Sequence, residues 1–260
     1  MSALAGAFAR VDRAEEHLAN LKCRVDTYFK PMGDGIEVRV VPGQVPQPVS
    51  KPPHLGEIPL MFGILIGETV QNLRTALDYL VYELANWYSG PDPNRRTQFP
   101  IETTPNGFNG RVGTYLEGVF EEHVTALKGL QPFKTRNWLW HIREISNTDK
   151  HRVVPATVGF GQRTVSIGPN ATAATLTGGY AKPGDPMAMY YKLPMSIALK
   201  QEELIPGRLP PHIPAIELLE DLTAQTRGLL ETFEPIFETE PPPRVLTPHR
   251  RPRSRKRKRH

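Results

Sequence analysis

Apolar residues return every three or four positions through three long stretches of the chain. From 3 to 30, Leu4, Phe8, Val11, Leu18, Leu21, Val25 and Tyr28 share one helical face, while Arg13, Glu16, Lys22 and Arg24 fall elsewhere. Between Leu60 and Tyr88 the stripe is denser. Ile66, Val70, Leu73, Leu77, Leu80, Leu84 and Trp87 follow without a break, which predicts a central helix. "SGPDPN" must end it, because a glycine and two prolines cannot continue a helix. A third stripe, Leu218, Leu222, Leu229, Leu230 and Phe233, predicts a helix from Pro214 to Phe237 with proline in its first turn.

Weaker patterns fill the space between. Residues 108–128 read as one short, glycine-weakened helix. A further helix runs from Thr135, its expected N-cap, to Asn147, with Trp138, Ile142 and Ile145 as its buried stripe. After His151 the period changes. "VVPATVGF", "RTVSI", "ATAATLTGG" and "MAMYYKL", separated by turn-formers, predict an antiparallel meander of three to five strands. "IEVRVV" at 36–41 alternates like a strand, and six prolines between Pro42 and Pro59 make an extended linker. The expected class is α+β: an antiparallel bundle of four or five helices with a small antiparallel sheet. One domain spans 1–239 (helical to 149, meander 151–206, last helix 214–237), and 240–260 form a disordered basic tail.

Composition changes this picture in one respect. The hydrophobic share is 39%, with 27 prolines and 21 glycines, so long irregular connections surround a modest core. The sequence pI near 9.3 is no global property. Arg244 to His260 hold nine Lys or Arg and no acid, leaving 23 bases against 27 acids, a net of −4, in 1–243. The lone Cys23 excludes an intramolecular disulfide and fits a reducing compartment. The N-terminus lacks a signal-peptide layout, and the best apolar run, "PLMFGILIG", is half of the ~20 residues a bilayer span needs. A cytoplasmic protein without a membrane partner is expected.

Candidate chemistry gathers in two places. Glu68, Asn72, Arg74, Asp78 and Glu83 interrupt the apolar central helix; Arg74 and Asp78, four apart, can pair. "NTDKHR" places Asn147, Asp149, Lys150, His151 and Arg152 where the fourth helix hands over to the first strand of the meander. Cations there complement the negative helix end, and Asn147 or Asp149 can bind freed backbone groups. A structural clasp onto Glu68 and Asp78 accounts for the whole hexapeptide; a binding site is the competing reading. His141, Glu144, His151 and Asp78 have metal-ligand character but lack the tight spacing of a metal motif. Phosphate-loop, dinucleotide and Gly-x-Ser-x-Gly patterns are missing, so no cofactor is expected. In the tail, Arg250, Arg251, Arg253, Arg255, Lys256, Arg257, Lys258 and Arg259 can attract RNA or another polyanion by counterion release, with no aromatic residues for base stacking.

"GETVQNLRTALDYLVYELA", "FPI", "LQPF" and "ISNTDKHR", in that order over 35–237, resemble a family of uncharacterised bacterial proteins. In that family a Leu-Arg-x-Ala-Leu-Asp helix precedes an Asn-x-Asp-Lys-His-Arg box, and the resemblance implies no activity. More distantly, the helical half is similar to HEPN domains, small and often dimeric bundles found in toxins and phage-defence ribonucleases. There an arginine and a histidine lie four to six residues apart, and "RNWLWH" meets that count with Arg136, Asn137 and His141. The resemblance implies a homodimer in which Arg136 and His141 promote attack of an RNA 2′-hydroxyl without metal. Five positions on an undistorted helix leave two side chains about 140° apart, a departure from that arrangement. The sequence therefore carries two readings: a non-enzymatic binding protein touching nucleic acid through its tail, and a HEPN-like metal-independent ribonuclease.

Overall fold

The computed structural model describes residues 2–30, 58–90, 93–133, 137–150, 153, 154, 156 and 214–243 in full, and the backbone alone in the strand segments between them. Six helices make up the described body. They are α1 (Ala5–Phe29), α2 (Leu60–Ser89), α3 (Pro105–Tyr115), α4 (Glu121–Gly129), α5 (Trp138–Asp149) and α6 (Ala215–Phe233), with a 3-10 turn at Glu234–Glu238.

The stripes predicted for α1, α2 and α6 are the faces that pack. Ile66, Val70, Leu73, Leu77, Leu80 and Leu84 are all fully buried. So are Ala76, Val81 and Ala85 on neighbouring faces, because α2 is enclosed by α1, α5 and α6 together. The contacts fix direction: Tyr28 meets Phe62, His17 meets Glu68, Arg10 meets Asn72 and Gly6 meets Tyr79, so α1 runs antiparallel to α2. Arg227 of α6 bridges Asp12 at 2.7 Å and Glu15 at 3.0 Å, and Lys22 pairs with Glu220, which makes α6 antiparallel to α1. Pro235 has no N–H to donate, so α6 tightens at Phe233 into the 3-10 turn instead of continuing to Phe237.

Three expectations are corrected. The α+β class is overturned: among the residues with described side chains the body is six helices with no sheet, and no residue of its buried core lies on a strand. The stretches expected to form a meander do not follow meander order. Residues 156–160 align with 195–199 and 163–167 with 172–176, in separate short ladders. Alanine, threonine and glycine fill nine of the twenty positions in these ladders, which leaves little of the large apolar face that a sheet layer needs. Second, 108–128 divides into α3 and α4. Thr104 caps α3, accepting from the Gly107 N–H at 3.1 Å, and Gly118 breaks the run with φ 84°. Third, α5 begins at Trp138, capped by Asn137 instead of Thr135. Its buried stripe is therefore Leu139, Trp140, Ile142, Ile145 and Ser146, and Trp138 is only partly buried.

Two glycines of α2 set how closely the far end of α5 approaches. A Cβ on Gly63 would lie 2.4 Å from the Val154 carbonyl oxygen, and one on Gly67 would lie 2.0 Å from Asp149 Oδ1. Backbone blocks the first and the end of a side chain blocks the second, so the two positions should respond differently. Gly63→Ala is expected to cost about 1–3 kcal/mol by forcing 153–154 off α2. Gly67→Ala need only displace a carboxylate and gains roughly 1 kcal/mol of helix propensity, leaving stability close to unchanged or raised. Urea denaturation of the two variants checks the contrast; equal losses would mean that backbone proximity does not set this contact.

Candidate functional site

Arg74 and Asp78 lie one turn apart on α2 and turn together toward the segment that enters α3. Asp78 Oδ1 accepts the Phe99 N–H at 2.8 Å and lies 3.3 Å from an Arg74 guanidinium nitrogen. The same guanidinium donates to the Phe99 carbonyl oxygen. The backbone of one residue of "FPI" is thus gripped at both its N–H and its C=O, which belong to the peptide groups on either side of Phe99, and the Phe99 ring is fully buried. Burial pushes the Asp78 carboxyl above its ordinary value, opposed by Arg74, the Phe99 N–H and Lys150. The pairing of Arg74 with Asp78 was legible from their spacing. Their purchase on Phe99 was not, because nothing local marks the backbone 21 residues away as the acceptor's partner.

The rest of the predicted cluster divides. Glu68 faces α1, with its carboxylate 3.3 Å from His17 Nδ1, and Asn72 accepts from Arg10 at 3.3 Å. Asn72 also donates to the Glu68 carbonyl oxygen, a local bond within the helix. Glu83 is close enough to accept from Asn86 at 3.4 Å. From the hexapeptide, Asn147 is exposed, Asp149 lodges against Gly67, and Lys150 closes α5 as its C-cap. Burial and the neighbouring Glu68 both push the Asp149 carboxyl up. Of the cations of the expected clasp against Glu68 and Asp78, only Lys150 lies among the described residues. Lys150 exerts its attraction on Asp78, while Glu68 meets the like charge of Asp149. His151 and Arg152 lie outside the described residues, as does the whole tail from Arg244.

The resemblance to HEPN domains places Arg136 and His141 as a pair. Arg136 also lies outside the described residues. His141 stands in the first turn of α5, partly buried, with its ring 4.9 Å from that of Trp140. Asn137, the polar residue of that motif, caps the helix. Its side chain accepts from the Trp140 N–H at 3.4 Å and donates to the Leu130 carbonyl at 2.7 Å. The helix starts after Asn137, so of that motif only Trp138 to His141 lie on α5.

Among the described residues no three His, Cys, Asp or Glu side chains come together as metal ligands, and no helix is long and apolar enough to cross a membrane. A groove of about 710 Å³ runs beside the start of α5, lined by Pro105, Thr125, Lys128, Gly129, Gln131, Phe133 and Asn137. Its two amide side chains are already engaged: Gln131 accepts from the Glu102 N–H and donates to Leu127, and Asn137 caps α5. The described polar groups of α2 and α5 mostly serve helix ends, helix packing and the gripped Phe99 backbone. No protein-family model, curated protein or solved structure matches the chain.

Two variants probe these carboxylates. Asp78→Ala strands the Phe99 N–H and the Arg74 guanidinium and should cost about 1–3 kcal/mol. With Arg74→Ala added, the double variant should lose less than the sum of the two single losses; full additivity in chemical denaturation would mean the residues do not share the grip. Asp149 behaves oppositely. A carboxyl raised above its unfolded value favours the fold when protonated, and that contribution is lost as pH rises through the raised value. Asp149→Asn should therefore raise the melting temperature at neutral pH, with the gain shrinking once acid protonates the native carboxyl. A drop in melting temperature at neutral pH would show that the charge itself is needed there.

Proposed function

We propose that the chain is a non-enzymatic, cytoplasmic binding protein whose helical body carries a cationic segment, Arg244 to His260, that engages RNA or a similar polyanion. The observation that carries this reading is the partition of charge. Nine Lys or Arg and no acid occupy 244–260, against a net of −4 in residues 1–243. A mildly acidic body repels phosphate, so attraction must come from the segment. Contacts of this kind release condensed counterions and read no sequence. The involvement of Arg74, Asp78, Asn72 and Asn137 in packing and capping supports a body that presents the segment and performs no reaction.

The test is retention of single-stranded RNA as salt is raised. The full chain should bind with a log–log salt slope of about −0.7 for each phosphate neutralised, and a chain ended after Pro243 should not be retained even at low salt. Undiminished retention by the shortened chain would remove the segment from the function. A second arm addresses the ribonuclease that the helical resemblance implies. Expression of the native chain and of His141→Ala should leave growth equal; toxicity confined to the native chain would replace the binding reading with a catalytic one.

A further inference from the structure

Three aromatic rings pack against the imidazole of His123, a partly buried residue of α4. Trp87 of α2 lies 5.5 Å away, Phe120 at the N-cap of α4 5.7 Å, and Phe233 at the end of α6 6.1 Å, ring centre to ring centre. The His123 Nε2 is cut off from solvent and has no hydrogen-bond partner. Such an enclosure suits a neutral ring, since a second N–H on the imidazolium would have nothing to donate to and its charge would lose its hydration. Burial accordingly holds the His123 pKa below the ordinary histidine value, and the adjacent Glu122 offsets this only partly.

The charges on the packed elements do not compensate. On α2, Glu83 faces Asn86; on α4, Glu121 and Glu122 are exposed; at the 3-10 turn, Glu234 accepts from Ser2. None of them reaches Nε2. What His123 holds is also thinly held. Of the nine residues of α4 only Leu127 is fully buried, and His123 stands one turn before it on the same face. The chain enters α4 through Gly118, at φ 84°, where the Ser89 hydroxyl donates to the Gly118 carbonyl at 2.7 Å. A Cβ at Gly118 would lie 2.8 Å from that hydroxyl oxygen, so glycine suits both the turn and the contact.

We propose that His123 is an acid-sensitive latch that closes α4 onto α2 and α6 when neutral and releases it when protonated. Release leaves α1, α2 and α6 packed, because Leu18, Leu77 and Leu222 belong to the central core and not to the enclosure around His123. It also opens the groove beside α5, of which α4 supplies Thr125, Lys128 and Gly129. The sign follows from the depressed ionisation. The closed form is fully favoured above the ordinary histidine range and is lost as pH falls through that range toward the lowered value.

Hydrogen exchange on the full chain, corrected for the intrinsic effect of pH, tests the latch at about pH 7.5 and about pH 5. Amides of 119–129 should lose at least tenfold in protection at the lower pH while those of α2 keep theirs. His123→Phe, which leaves an uncharged ring in the enclosure, should remove the pH-dependent part. Unchanged protection of α4, an identical loss in the phenylalanine variant, or simultaneous loss throughout α2 would each overturn the proposal. Should that variant not fold, NMR titration of the native imidazole decides: ionisation below the ordinary histidine value, in step with exchange of α4, upholds the latch, and ionisation at the ordinary value overturns it.

Discussion

A helix enclosed on several sides cannot send all of its polar side chains to water, and that constraint on α2 organises the rest of the molecule. Fourteen of its 30 residues are buried, spread over more than one face. Thr69 answers the constraint within the helix by donating to the Leu65 carbonyl at 2.8 Å. Arg74 and Asp78 answer it between segments by gripping the Phe99 backbone. Because the Phe99 backbone lies in the segment that leads to α3, satisfying two ionic groups also holds the approach to the outer helices. Ser89 with Gly118, and Trp87 with His123, repeat the pattern at the far end of α2, each tying the polar atom or ring of one element to the loop or helix that follows.

Close approach is the second consequence of enclosure. Gly63 and Gly67, four apart, remove two side chains from the face that receives Asp149, Val153 and Val154. Each glycine costs roughly 1 kcal/mol of helix propensity, so the space they create must serve the contact itself. What enters that space is uneven: a backbone carbonyl at Gly63, and the Asp149 carboxylate at Gly67 next to Glu68. Two carboxylates in mutual reach, one of them partly withdrawn from water, oppose each other, and His17 beside Glu68 relieves only one of the two. The junction of α2 and α5 is therefore firm in its backbone and electrostatically unrelieved in its side chains.

Periodicity made the long helices legible because burial and amphipathic spacing are one phenomenon: Leu4, Val11, Leu73, Leu80 and Leu230 were assigned to the core from spacing alone, and all are fully buried. It failed where a local signal was outweighed. Thr135 looked like the cap, but Asn137 both caps α5 and holds the Leu130 carbonyl, a tie invisible without the fold. Threonine, valine and alanine runs suggested a sheet, yet strand propensity specifies an extended backbone and not a packed layer. Within the candidate site, pairing of Arg74 with Asp78 followed from their spacing, whereas His17 beside Glu68 joins residues 51 apart. His123 carried a legible hint, one turn before Leu127 on a short helix, but two of the rings beside it, Trp87 and Phe233, come from distant segments.

On the proposed binding reading, the acidic body and the basic end are coupled through their opposite charges. Any polyanion drawn to Arg244–His260 is brought beside a body of net −4, which repels it over roughly the 8 Å screening length at physiological salt. Added salt weakens that repulsion as well as the attraction, so the body makes binding less steep in salt than the charge count of the segment alone would give. The same acidic groups attract the segment itself, which then competes with its own ligand at low ionic strength. On the proposed binding reading, a chain with this charge partition would favour long polyanions over short ones. A long one can occupy the nine cations while most of its length stays beyond the field of the body, and a short one cannot.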